Sequence, residues 1–156
     1  MKLNLGSKHH KLEGFIDIDI SRKHSPDRIM DVRSLDYETE SVDVIYAGHL
    51  IEHFDSVETP MILSEWKRVL KKGGVLIMSF PDFEKVMILW TNGIISIRHI
   101  NKYIFANEVG GQQSHKQVMS VSIAERLLGS VEEITGCPYV AGGDMNWQSV
   151  VKYTKI

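Results

Sequence analysis

The apolar positions of this chain fall into short runs separated by polar and glycine-containing stretches. Val42, Val44, Ile45 and Tyr46 begin as an alternation and close into a continuous run, the pattern of a buried strand. Similar patterns predict strands at Lys2 to Leu5, Phe15 to Ile20, Ile29 to Val32 and Val75 to Phe80. Between the last two lies a helical pattern: Ile62, Leu63, Trp66, Val69 and Leu70 recur at helix spacing and form one apolar face. Ser56 or Thr59 is expected to cap that helix, with Pro60 in its first turn. Lys71 and Lys72 suit its negative end, and Gly73 its stop. Pro81 and Asp82 end the following strand.

The back half is predicted as a helix through Val86 to Trp90, a turn at Asn92-Gly93, and a helix within Ile94 to Phe105. The latter is apolar enough to cover a pocket or form a dimer contact. Ala106 to Met119 reads as a long loop whose Gly110-Gly111 and Gln112-Gln113 suit a lid. Ser122 and Glu125 have the spacing of a capping box, opening a helix that stops near Gly129. Val131 to Thr135 reads as a strand, Cys137 to Asp144 as a turn region, and Ser149 to Ile156 as a final strand at or beside the sheet edge. Strands alternating with helices predict an α/β fold, in one domain over residues 1–156.

The strand ends carry the candidate chemistry. In open α/β sheets, ligands bind beyond the C-terminal ends of the strands. Gly6 ends the first strand, and Asp19 is the better candidate over Asp17 for an acid that accepts bonds from a ribose diol. Asp31 falls on the same rim and suits an exocyclic amine. Ala47-Gly48 leads out of the fourth strand to His49, Glu52, His53 and Phe54. Only Ser7 to Gly14 separates the first two strands, too short for an ordinary crossover helix with its loops. Lys8, His9, His10 and Lys11 there form either a cationic lip or a solvated loop. No phosphate loop of the Gly-Lys-Ser/Thr type occurs, and no metal-ligand set is read, since the adjacent His9 and His10 lack a spaced third ligand.

Composition narrows the picture. Hydrophobic residues make up 43% and charged residues 24%, with a formal net charge of -2, so no basic excess argues for nucleic acid. Apolar runs are too short to span a membrane, and the opening MKLNLG reads as a strand rather than a signal peptide. The single Cys137 excludes an intrachain disulfide. A cytoplasmic protein is expected.

The order LNLG, FIDIDI, MDV, VDVIYAGHLIEHF and EWKRVLKKGGVLIMSFPDF resembles small class I S-adenosylmethionine-dependent methyltransferases over residues 2–84, and among them the group found in polysaccharide and surface-glycan clusters. GGQQSHK, from Gly110 to Lys116, resembles a further segment of that group. The resemblance implies a Rossmann-like sheet of order 3-2-1-4-5-7-6 with its last pair antiparallel, helices on both faces, and a reduced first crossover. It implies S-adenosylmethionine as cofactor, held by Gly6, Ser7, Lys8, Asp19, Asp31, Val32, Ala47, Gly48 and His49. His53 and His115 are the candidate bases, and Glu52 shapes the pocket. The family's G-x-G is here Gly6-Ser7-Lys8. The expected acceptor is a small molecule or glycan precursor with an oxygen nucleophile. The alternative is a non-catalytic relative acting as a scaffold or partner subunit.

Overall fold

The computed structural model describes residues 1–106, 114–140 and 145–156. The lid segment expected around Gly110 to Gln113, and Gly142-Gly143 of the expected turn region, lie outside the described residues.

Among the described residues, seven strands form one mixed sheet: β1 (Lys2–Leu5), β2 (Ile16–Asp19), β3 (Arg28–Ile29), β4 (Val42–Gly48), β5 (Leu70–Pro81), β6 (Glu132–Glu133) and β7 (Gln148–Thr154). Their spatial order is β3-β2-β1-β4-β5-β7-β6. The first five pair in parallel, and β7 lies antiparallel to both β5 and β6. The expected order and the antiparallel last pair are therefore observed. The helices are α1 (Glu58–Val69), α2 (Phe83–Thr91), α3 (Ile97–Phe105) and α4 (Val121–Leu128).

Side-chain alternation divides the core. Ile45 and Ala47 of β4, with Leu76, Met78 and Phe80 of β5, enter one cluster with Ile62, Leu63, Trp66 and Val69 of α1 and Ala124 and Leu128 of α4. Tyr46 and Ile77 face the other way and meet Phe15, Cys137, Val140 and Val150, with Leu12 and Tyr139 packed alongside. No helix connects β1 to β2, so Leu12 and Phe15 of the short connection supply apolar cover on that face. The reduced first crossover is thus a chain of turns.

Several boundaries differ from expectation. Asp55, not Ser56 or Thr59, caps α1: its Oδ1 accepts from the amides of Val57 at 2.9 Å and Glu58 at 2.8 Å. Thr59 lies inside the helix and donates back to the Asp55 carbonyl. The helix stops at Val69, before Lys71 and Lys72, because Leu70 already pairs with Val42 as the first residue of β5. Gly73 turns within that strand instead of ending the helix, at φ 76. Ser120, not Ser122, caps α4 and accepts from the Ile123 amide, while Ser122 donates to Glu84. The strand expected through Val32 is confined to Arg28–Ile29. The helix expected within Ile94 to Phe105 starts after Ser96, whose side chain and His99 form its capping box. Among the described residues, no helix is long and apolar enough to cross a membrane.

Candidate active site

The C-terminal ends of β1, β2 and β4 open onto a cleft of about 530 Å³, within the usual range for small-molecule sites. Gly6, Lys8, Asp19, Asp31, Val32, His49, Leu50 and His53 all line it. Gly6 has φ 64, and a Cβ there would come within 2.7 Å of Leu50 Cδ1. Glycine therefore meets both a backbone and a space requirement at this turn.

Asp19 anchors the floor. Its Oδ2 accepts from the Lys8 amide at 2.9 Å, and its Oδ1 accepts from the Ser21 amide at 2.8 Å. His24 Nδ1 lies 3.1 Å from the same Oδ1. Burial works to raise the Asp19 pKa, but the two amides and His24 outweigh it and hold the carboxyl below its ordinary value. Asp17, the alternative acid, is buried away from the cleft and accepts from Asn4 Nδ2 at 2.7 Å.

The other expected binding residues divide. Asp31 lines the cleft but is gripped by Arg33, whose Nε and Nη2 lie 3.0 Å and 2.8 Å from its two oxygens. That pairing leads the causes that lower its pKa. Val32 packs beside it and gives its carbonyl to Trp66 Nε1 at 2.9 Å. Lys8 lines the cleft with φ 46, the left-handed region that glycine adopts more readily. Ser7 is buried just below, and its Oγ has no hydrogen-bond partner among the described residues. Ala47 and Gly48 remain inside β4 and do not line the cleft. A Cβ on Gly48 would lie 2.4 Å from the Tyr46 hydroxyl, so this glycine makes room for a neighbouring side chain. Of the two alternatives for Lys8 to Lys11, a joint cationic lip is not formed: His10 Nε2 bonds the Tyr139 carbonyl, Lys11 donates to the Ser25 carbonyl, and His9 packs edge-on against His24.

A second cleft of about 450 Å³ adjoins the first at His49 and is lined also by Lys102, Tyr103, His115 and Trp147. Tyr103 and Trp147 stack with centroids 4.5 Å apart and ring planes within 3°. None of Lys102, Tyr103 and Trp147 was singled out as a site residue from the sequence, and Gln148 was also missed. His49 stands between the clefts, with Nδ1 3.1 Å from Glu52 Oε1 and Nε2 2.8 Å from Gln148 Oε1. Burial lowers its pKa, but Glu52, by hydrogen bond and charge, raises it to above the ordinary value.

His53 and His115 meet edge to face beside His49, with centroids 5.0 Å apart. His53 lines the first cleft and His115 the second. His115 Nδ1 donates to the Ile104 carbonyl at 2.9 Å, which fixes Nε2 as the lone-pair nitrogen of the neutral ring. Burial is the main cause that lowers the His53 pKa; the charges of His115 and Lys8 add to it, while Glu52 opposes. Glu52 itself is fully buried. One ligand atom from each of Glu52, His53 and His115 lies within 4.8 Å of the others, a grouping that the sequence reading did not single out.

Comparison with known proteins places this geometry. The methyltransferase domain family matches residues 13–78. A SAM-dependent methyltransferase of Thermotoga maritima superposes with a TM-score of 0.67 at 18% identity, over 99% of this chain and 82% of its own. One from Methanosarcina mazei gives 0.66 at 17% identity, over 99% of this chain and 92% of its own. This chain has the class I methyltransferase fold. The family model covers less than half of the chain, and the structural likeness establishes the fold. An uncharacterized 37.1 kDa protein in transposon TN4556 of Streptomyces fradiae is 28% identical over 97 residues, 60% of this chain. The chain spans about 28% of that relative's length.

The first cleft suits S-adenosylmethionine, the cofactor that the sequence resemblance implies, in three respects. Gly6 lets the backbone approach closely, Asp19 presents a carboxylate at the end of β2, and Lys8 brings a cation to the same wall.

Proposed function

We propose that this chain, as one domain over residues 1–156, transfers the methyl group of S-adenosylmethionine to an oxygen nucleophile on a small-molecule or sugar-linked acceptor. The observation that carries this reading is the junction of two clefts at His49, with His53 on one side and His115 on the other. One cleft is suited to the cofactor and the other to the acceptor.

When bound, S-adenosylmethionine supplies an electrophilic methyl group on a sulfonium. Gly6, Lys8, Asp19, Asp31 and Val32 hold it in this reading. Asp19 accepts from the ribose hydroxyls, and Lys8 takes the carboxylate end. In the second cleft, Trp147 offers an apolar wall and Lys102 a cation for an acceptor that carries a ring and a negative charge. The chain's largest contribution is alignment of the acceptor oxygen with the methyl group. His115 Nε2 takes the hydroxyl proton, because its Nδ1 proton is committed to the Ile104 carbonyl. His53 stands beside it as the alternative base. The exposed Ile88, Trp90, Ile94 and Ile97 supply an apolar surface that supports a homodimer contact. In this reading the protein works in the cytoplasm; among the described residues no helix is long and apolar enough to cross a membrane.

Calorimetric titration with S-adenosylmethionine and, separately, with S-adenosylhomocysteine tests the cofactor half. Micromolar binding of both is expected, followed by methyl transfer to glycan precursors carrying free hydroxyls. No binding of either by the folded protein would overturn the reading in favour of a non-catalytic scaffold.

A further inference from the structure

Three observations converge on the wall between the two clefts. Glu52 is 1% exposed, and its Oε2 has no hydrogen-bond partner among the described residues. A buried carboxylate oxygen left unpaired is costly and calls for a cation or donor. His115 is anchored through Nδ1 to a backbone carbonyl, and its Nε2 lies 3.9 Å from Glu52 Oε1. A carbonyl on one imidazole nitrogen is the usual outer support for a metal ligand on the other. His53 completes the set, with all three ligand atoms within 4.8 Å of one another.

We propose that Glu52, His53 and His115 form a binding site for a divalent transition-metal ion, Zn²⁺ foremost. Two imidazoles and one carboxylate are a donor set typical of Zn²⁺ and of non-haem Fe²⁺. Ligands about 2.0–2.2 Å from a tetrahedral ion stand roughly 3.3 Å apart, so side-chain shifts on the order of 1 Å close the set. The backbone holds the parts in place. The Lys116 amide donates to the Glu52 carbonyl at 2.9 Å, and Gln117 Nε2 donates to Ile51 O at 3.0 Å and to Thr59 Oγ1 at 2.6 Å. These bonds seat residues 115–117 on the turn that carries Glu52 and His53. Three protein ligands leave a coordination position for water or an acceptor oxygen, whose proton affinity the ion would lower. Each histidine lone pair can hold a proton or the metal, so the loaded protein would not use His115 as the base proposed above.

This inference does not rest on methyl transfer, and its test reads metal directly. The full chain, stripped with a chelator and dialysed, is titrated with Co²⁺ followed by visible absorption and with Zn²⁺ followed by calorimetry. Saturation at one ion per chain is expected, weakened at least tenfold by His53→Ala and by His115→Ala and unchanged by the His9→Ala/His10→Ala double variant. Circular dichroism establishes that each variant is folded. Should either variant unfold, proton NMR of the unsubstituted chain serves, and Co²⁺ is expected to shift the ring signals of His53 and His115 the most, with a smaller shift at the neighbouring His49. Absence of saturable binding, binding that survives both substitutions, or largest shifts at other histidines would overturn the site. S-adenosylhomocysteine titration of the metal-free protein separately reports on the cofactor reading.

Discussion

The backbone amide of Lys8 donates to Asp19 Oδ2 at 2.9 Å, tying the loop after β1 to the end of β2. One carboxylate thus organises two loops, since its other oxygen accepts from Ser21. Asp19→Ala removes both acceptors together with the proposed ribose contact. At least a tenfold loss of S-adenosylhomocysteine affinity by calorimetry is expected, with a stability loss of about 1–3 kcal/mol for the stranded amides. A variant that binds as tightly as the parent would remove Asp19 from the cofactor site.

The same carboxyl predicts an acid limb. Burial opposes ionisation of Asp19, but the Ser21 and Lys8 amides and His24 favour it more, so the folded-state pKa lies below the ordinary value. Its contribution to stability is therefore complete above the unfolded value, about 3.9, and is lost as pH falls through the folded value. Urea unfolding below pH 4 should show Asp19→Asn with a shallower pH dependence than the parent. Parallel curves would mean that Asp19 ionises alike in the folded and unfolded chain.

Lys8 poses a different question, because its backbone lies at φ 46 while its side chain lines the cleft. Lys8→Gly relieves the left-handed strain, worth roughly 1 kcal/mol, but glycine also gains freedom in the unfolded chain. Stability should therefore change by less than about 1 kcal/mol. Affinity for S-adenosylhomocysteine should fall several-fold, and the loss should shrink as salt is raised. Tighter binding by the variant would identify the lysine as an obstruction in the cleft.

Much of this arrangement was legible locally. The alternations at Phe15 to Ile20 and Val42 to Tyr46, and the 3.6-residue spacing from Ile62 to Val69, are written into neighbouring residues and gave the right elements. Boundaries failed where a distant partner decides them. Leu70 leaves the helix because Val42 pairs with it, and Asp55 rather than its neighbours reaches the free amides of α1. The junction of the two clefts was harder still. Glu52 and His115 are brought together by amides of Lys116 and Gln117 bonding one carbonyl, and no local periodicity encodes that contact. Trp147 and Gln148 reach His49 through the antiparallel return of β7, which the resemblance supplied but no run of residues near His49 announces.

The cleft wall is also coupled to the core through Trp66. Its side chain is fully buried in α1, and its Nε1 donates to the Val32 carbonyl at 2.9 Å. Trp66→Phe leaves that carbonyl without its donor and opens a void where the larger ring packed. Together these should cost about 2–4 kcal/mol, read as a lower denaturation midpoint at unchanged slope. Because Val32 lines the cleft proposed for the cofactor, S-adenosylhomocysteine affinity should weaken as well, by less than in Asp19→Ala.

Asp82 joins three elements behind the second cleft. It caps α2 by accepting from the Lys85 amide at 3.1 Å, and its Oδ2 accepts from Ser149 Oγ at 2.8 Å and from the Val121 amide at 3.3 Å. The residue is 2% exposed, so water cannot replace these bonds. Asp82→Asn keeps the shape but puts an NH₂ donor where one oxygen must accept. If the amide retains its oxygen toward Ser149 and Val121, the α2 cap is lost; in the flipped orientation the link to α4 is lost, while Ser149, with its hydroxyl hydrogen on Glu133, accepts from the new amide. Either way the expected cost is about 1–3 kcal/mol by denaturant titration. Asp82→Ala, which loses all three bonds and leaves a void, should cost more, and a smaller effect from alanine than from asparagine would mean that repulsion by the new amide, rather than the lost acceptor, dominates.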